Sequence, residues 1–125
     1  MSICYIPVSI GELYDKYSIL QIKKEKLKDN NLLSNVEKEI NLLETHINKF
    51  KLDIDLYNQL KQINEDLWEI EDNIREKESN KEFDSIFIEL ARSVYHKNDR
   101  RAFIKQLINK SLKSDIVEVK YYKNY

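Results

Sequence analysis

The sequence predicts an all-α fold, a helical hairpin or bundle arranged around one long helix. The segment 34–77 has no proline or glycine and is rich in Glu, Lys, Leu and Ile. Its apolar residues recur every three or four positions, as they do on one face of a helix. The whole chain of 125 residues has a single glycine and a single proline. This composition suits helices and argues against a loop-rich or all-β fold.

The first predicted helix covers about residues 10–29. The segment before it, 3–8, is short and apolar and contains Pro7, which is typical of an edge strand or an extended arm. Ser9 and Glu12 have the spacing of a capping box, so a helix is expected to begin here. Residues 29–31 favour a turn. Because this turn is short, the first two helices are expected to form an antiparallel hairpin.

The long helix is predicted over 34–78, beginning at a second capping box formed by Ser34 and Glu37. Its two apolar stripes are out of phase by one residue, and this phase slip predicts a kink or a break at 53–58. An unbroken helix would span about 65 Å. The rest of the chain is too short to cover such a helix, so a coiled-coil homodimer is expected.

Two further helices are predicted near the C-terminus, over 84–97 and 99–113, separated by a polar segment at 96–99. The last β-prone segment, 116–122, either pairs with 3–8 in a small β-ribbon or forms a tyrosine-rich disordered tail. The chain length predicts that residues 1–125 form a single domain.

The net charge of −1 conceals an uneven distribution of charge along the chain. The net charge is +1 up to Leu52, −8 from Asp53 to Ala91 and +6 from Arg92 onward. We expect the acidic central helix to pack beside the basic C-terminal helix, within one chain or across a dimer. Nucleic-acid binding by the basic C-terminal third is the least favoured interpretation, because dedicated binders are usually basic overall.

Composition also indicates where the protein is located. The lone Cys4 excludes an intrachain disulfide and a cysteine metal site, which favours the cytoplasm. No apolar run has the length of a membrane span, and the first residues lack the pattern of a secretory signal. The expected protein is therefore cytoplasmic, with no membrane partner.

Two carboxylate pairs have helical spacing, Glu12 with Asp15 and Glu69 with Asp72. Residues three apart share one face of a helix, and carboxylates facing each other across helices can hold Mg²⁺. The pattern resembles, loosely, the ExxE and ExxD helices of the all-α nucleoside-triphosphate pyrophosphohydrolases. That resemblance implies an Mg²⁺-dependent enzyme acting on a phosphorylated small molecule. The other interpretation, a solvated acidic helix face with no cofactor, is the one we favour.

Arginine is concentrated in one segment, since three of the four arginines lie between 92 and 101. The planar guanidinium group matches carboxylate or phosphate groups better than lysine does. These arginines either pair with neighbouring carboxylates or form an anion pocket at the start of the helix predicted from residue 99. The residues of this candidate anion or ligand site are Arg75, Arg92, Asn98, Arg100 and Lys105.

Three segments resemble a family of small proteins from bacteria and their phages that is catalogued only as a domain of unknown function. They are IPVSIGELYDKYSILQIKKEKL, LWEIEDNIREKE, and FIELARSVYHKNDRRAFIKQLIN followed by EVKYY. The resemblance covers nearly the whole chain and implies one compact domain. It brings no activity, cofactor or substrate.

The sequence therefore predicts a small helical binding or scaffolding protein that self-associates and contacts protein partners. The alternative is a ligand-binding protein or Mg²⁺-dependent enzyme, and no motif decides whether the protein is an enzyme.

Overall fold

A computed structural model of the chain describes residues 2–125 and has four helices in that range, which confirms the all-α prediction. They are α1 (Ile10–Lys26), α2 (Asn30–Ile47), α3 (Ile54–Ser79) and α4 (Ser85–Ser111). Helix α1 contacts all three others, α3 packs on α4, and within the described range α2 contacts only α1. The bundle is therefore arranged around the first helix, and not around the long central helix that the sequence suggested.

The first two helices begin at side-chain caps. The Ser9 hydroxyl accepts a hydrogen bond from the Glu12 amide, as the capping box predicts. Helix α2 begins four residues earlier than expected, because Asp29 and not Ser34 is its N-cap. The Asp29 carboxylate accepts hydrogen bonds from the amides of Asn31 and Leu32, which leaves Ser34 inside the helix.

The long element is two helices, and the interruption lies at residues 48–53, on the N-terminal side of the expected 53–58. Helix α2 ends at Ile47, with Asn48 as its C-cap, and Asp53 caps α3 by accepting a hydrogen bond from the Asp55 amide. The phase slip in the apolar pattern thus indicates a true break. Phe50 and Leu52, within the break, pack against the core.

Helix α4 is continuous where the sequence predicted two helices, 84–97 and 99–113. The polar segment 96–99 does not end the helix because it contains no proline or glycine and its side chains have partners on other parts of the chain. Lys97 pairs with Asp66 of α3 at 3.0 Å, and Asp99 pairs with Lys120 at 2.7 Å. The Asp66–Lys97 pair also shows the acidic helix packed beside the basic helix within one chain.

Neither predicted strand is present in residues 2–125. The segment 3–8 has no regular secondary structure and is exposed, and residues 115–125 form an irregular tail that runs back along α4. Two such short strands would be marginal by themselves. The tail instead makes side-chain contacts with α4, through Lys120 and Tyr125.

The core has two parts, both built on α1. The larger lies where α1 meets α3 and α4, and contains Tyr14, Leu60, Ile63, Ile104 and Ile108. The smaller lies between α1 and α2, and contains Leu20, Val36 and Ile40. None of the helices in the described range is both long and apolar enough to cross a membrane.

Candidate functional site

Polar side chains are buried or half-buried at the place where α1 meets α3, α4 and the C-terminal tail. This group is called the polar cluster below. Its members are Glu12, Asp15, Ser18, Asn64, Lys105 and Asn109, together with the exposed Glu118 of the tail.

A close approach of two helix backbones brings the cluster together. The Gly11 amide donates a hydrogen bond to Asn109 Oδ1 at 2.6 Å. A Cβ atom at Gly11 would lie only 2.6 Å from the Lys105 carbonyl oxygen, so a larger residue would push α1 away from α4. Glycine here therefore allows Glu12, one residue later, to reach the Lys105 ammonium group.

Lys105 lies among three carboxylates and is the central charge of the cluster. Its Nζ atom is 2.7 Å from Glu12, 3.0 Å from Glu118 and 3.7 Å from Asp15. Burial lowers the pKa of Lys105, but the hydrogen bonds to Glu12 and Glu118 outweigh it, so the pKa lies above its usual value. Burial likewise raises the pKa of Glu12, but the hydrogen bond and charge of Lys105 bring it below the usual value.

The Asp15 carboxylate is almost completely buried and is held from the α3 side by an amide. Asn64 Nδ2 donates to Asp15 Oδ1 at 2.9 Å and also lies 2.8 Å from the Ser18 hydroxyl oxygen. Arg101 Nε adds a positive charge 3.7 Å from Asp15. Every buried side-chain nitrogen and oxygen in the described range has a hydrogen-bond partner. The cluster is thus satisfied by the chain's own groups.

The two predicted metal-binding pairs do not form one ligand group. Glu12 and Asp15 contact Lys105 as described above, whereas Glu69 and Asp72 lie exposed on the second half of α3. Within residues 2–125 no three His, Cys, Asp or Glu side chains are grouped so that they could hold a metal ion. An Mg²⁺ site built from these four carboxylates stays a prediction without geometric support.

The five residues of the predicted anion site are spread along α3 and α4. Arg75 pairs with Glu71 at 3.0 Å and Arg92 with Glu89 at 2.9 Å, each within its own helix. Arg100 Nη2 lies 3.4 Å from Gln59 Oε1. The remaining two residues of the predicted site are Asn98, which is half-buried on α4, and Lys105, which belongs to the polar cluster.

The anion pocket was predicted at a helix start near Arg100, but no helix begins there. Helix α4 passes through that position without interruption. The backbone amides near residue 100 are therefore inside a helix, where they bond to preceding carbonyl groups and cannot bind an anion.

A second feature is the far half of the α3–α4 hairpin, residues 65–103, which we call the arm. No residue of the arm is buried, although the buried residues Asn64 and Ile104 directly flank it. Its large apolar side chains are exposed or half-buried. They are Leu67, Trp68, Ile70, Ile74, Phe83, Ile86, Phe87, Ile88, Leu90, Val94, Tyr95 and Phe103.

The sequence interpretation did not identify these two features, although each leaves a signal in the sequence. Asn64 and Asn109 directly follow the buried residues Ile63 and Ile108, so a polar side chain occurs where the apolar stripe passes. On the arm, the run of apolar residues at 86–88 places apolar side chains on more than one side of the helix.

Comparison with known proteins gives a family but no activity. A family model described as a family of unknown function, DUF6165, matches residues 4–125 of the chain. No curated protein and no solved structure matches the chain. The match covers the polar cluster and the arm alike, so both belong to the family's domain.

Proposed function

We propose that this chain, which belongs to the DUF6165 family of unknown function, is a small binding or scaffolding protein that acts through protein contacts and assembles with copies of itself. The observation that carries the proposal is the arm, where a two-helix hairpin extends beyond the core with no buried residue.

The arm exposes more apolar surface than is expected for a helical hairpin that is surrounded only by water. Ile86 and Ile88, in the first turn of α4, are 57% and 54% exposed, and Phe87 between them is half-buried. A helix that is apolar on several sides is usually buried, and exposed apolar patches commonly mark protein contacts. Covering these side chains would stabilise an assembly by removing their apolar area from water.

The polar cluster gives less support to the alternative, a ligand-binding protein or Mg²⁺-dependent enzyme. Its carboxylates Glu12, Asp15 and Glu118 already surround the Lys105 ammonium group, which balances part of their charge. The cluster fixes α1 and the tail on α4, and so orients the base of the arm. The free thiol of the exposed Cys4 fits a reducing compartment, and we place the protein in the cytoplasm.

The proposal is tested by the molar mass of two matched double variants, measured by light scattering over a range of protein concentrations. Ile86→Glu with Ile88→Glu places charge on the arm, and the control, Leu32→Glu with Leu42→Glu, does so on α2. The control residues are 50% and 39% exposed. We expect both variants to stay folded and only the arm variant to lose self-association.

Equal molar masses for the wild type and both variants at every concentration would refute self-association through the arm. Loss of association in the α2 variant instead would move the contact surface to α2.

A further inference from the structure

The outer side of α4 carries five exposed residues at helical spacing, which we call the α4 stripe. They are Ile88, Arg92, Tyr95, Asp99 and Phe103. Steps of four, three, four and four residues keep them on one face of the helix. This face points away from the rest of the bundle, because α4 contacts α3 and α1 through other residues, among them Ile104, Lys105 and Ile108.

The α4 stripe is complementary to itself when it is reversed. Ile88 and Phe103 are equally distant from the midpoint between residues 95 and 96, and so are Arg92 and Asp99. In an antiparallel pair of α4 helices with a two-fold axis at that midpoint, Ile88 faces Phe103 of the second copy. Arg92 likewise faces Asp99 of the second copy. A two-fold interface repeats each contact, so two apolar pairs and two ion pairs form.

The chain's own C-terminal tail occupies the centre of the α4 stripe. Lys120 Nζ lies 2.7 Å from Asp99 Oδ1, and the Tyr125 hydroxyl donates to Asp99 Oδ2 at 2.6 Å. The Tyr125 ring centre lies 5.0 Å from that of Tyr95. Glu118 anchors the tail to Lys105 of the polar cluster. The tail thus presents a cation and an aromatic ring to the same atoms that a second copy would contact.

We infer that the α4 stripe binds the α4 stripe of a second copy, and that Lys120 and Tyr125 of the tail compete with that copy for Asp99 and Tyr95. This inference rests on the proposed function and specifies its partner and its control. The paired stripes would span about 24 Å of helix. One pair of helices forms a small interface, so the association is weak and a short tail can reduce it without abolishing it.

The competition is tested in the full chain by sedimentation velocity over a series of protein concentrations. Lys120→Ala with Tyr125→Ala removes both tail contacts, and the control, Lys123→Ala with Tyr121→Ala, makes the same chemical changes where the tail has no polar contact with α4. The first variant is expected to have a dimer dissociation constant about tenfold lower than that of the wild type. The control is expected to have the same dissociation constant as the wild type. Equal dimerisation of the two variants would refute the competition.

The pairing of the stripes is tested by reversing charges in the variant with the released tail. Arg92→Asp or Asp99→Arg alone places like charges opposite each other in both ion pairs and should weaken the dimer on the order of tenfold. Both changes together restore opposite charges and should restore the dimer. Arg75→Asp, an exposed position on α3, is the matched control and should have no effect.

A double variant that stays as weak as the single variants would refute the pairing of the stripes. The proposed function fails separately. If glutamates at Ile86 and Ile88 abolish self-association while the charge reversals do not change it, the arm binds through another face. If neither set of variants changes the molar mass, both proposals are refuted.

Discussion

Gly11→Ala is expected to destabilise the fold, although alanine is the better helix former. The substitution sits in the first turn of α1, where the added Cβ would lie 2.6 Å from the Lys105 carbonyl oxygen. An ordinary contact begins near 3.4 Å, so α1 must move about 0.8 Å away from α4 at this point. That movement stretches the 2.6 Å hydrogen bond from the Gly11 amide to Asn109.

Three contributions set the magnitude for Gly11→Ala. Overpacking costs about 1–3 kcal/mol, and weakening a buried hydrogen bond costs about 1 kcal/mol. The higher helix propensity of alanine offsets about 1 kcal/mol of this loss. The net loss in the free energy of unfolding is therefore about 1–3 kcal/mol, or roughly 4–12 °C in Tm for a chain of this size.

The measurement is thermal and urea unfolding of Gly11→Ala, followed by circular dichroism, beside Asn41→Ala as the control. Asn41 is exposed in α2, where alanine should leave stability unchanged or raise it slightly. A Gly11→Ala protein as stable as the wild type would show that α1 and α4 do not approach as closely as described.

Three other predictions concern the polar groups around α1. Asn64→Ala removes an amide donor from the buried Asp15 carboxylate and should cost about 1–3 kcal/mol in urea unfolding; no loss would contradict the role of Asn64. The pKa of Glu12 is lowered in the folded state, so its contribution to stability is present above the ordinary value of 4.5 and is lost as the pH falls through the lower folded value. Glu12→Gln should therefore reduce the fall in Tm between neutral and acid pH, and an unchanged pH dependence would contradict this. Burial raises the pKa of Tyr57 to about 12, so an absorbance titration should show one tyrosine that ionises near that pH. This ionisation step should be absent from Tyr57→Phe, and its presence there would contradict the assignment.

Local signals in the sequence predicted much of the secondary structure. The Ser9–Glu12 capping box marks the start of α1, and the phase slip in the apolar stripes marks a real break between α2 and α3. The exact ends depend on competition between caps, since Asp29 caps α2 and Ser34, five residues later, lies inside the helix. Residues 96–99 look like a helix end only when considered alone, because the partners of Lys97 and Asp99 lie far along the chain.

The candidate site was less predictable, because it depends on how the helices are arranged. The sequence shows that Glu12 and Asp15 share a face, but it does not show that Lys105 comes between them. Arg75 and Arg92 stand out in the sequence because arginine is rare in it, and in the structure each pairs within its own helix. The approach of α1 to α4 at Gly11 sets these contacts, and a single glycine in a sequence carries no such information.

The central claim, that the arm is a protein-contact surface, is tested most directly by hydrogen exchange at low and high protein concentration. If copies of the chain cover the arm, the amides at 65–79 and 85–103 should exchange more slowly at high protein concentration than at a concentration about a hundredfold lower. The amides of α2 should serve as an internal control and stay unchanged. Exchange in the arm that is independent of concentration would contradict the claim.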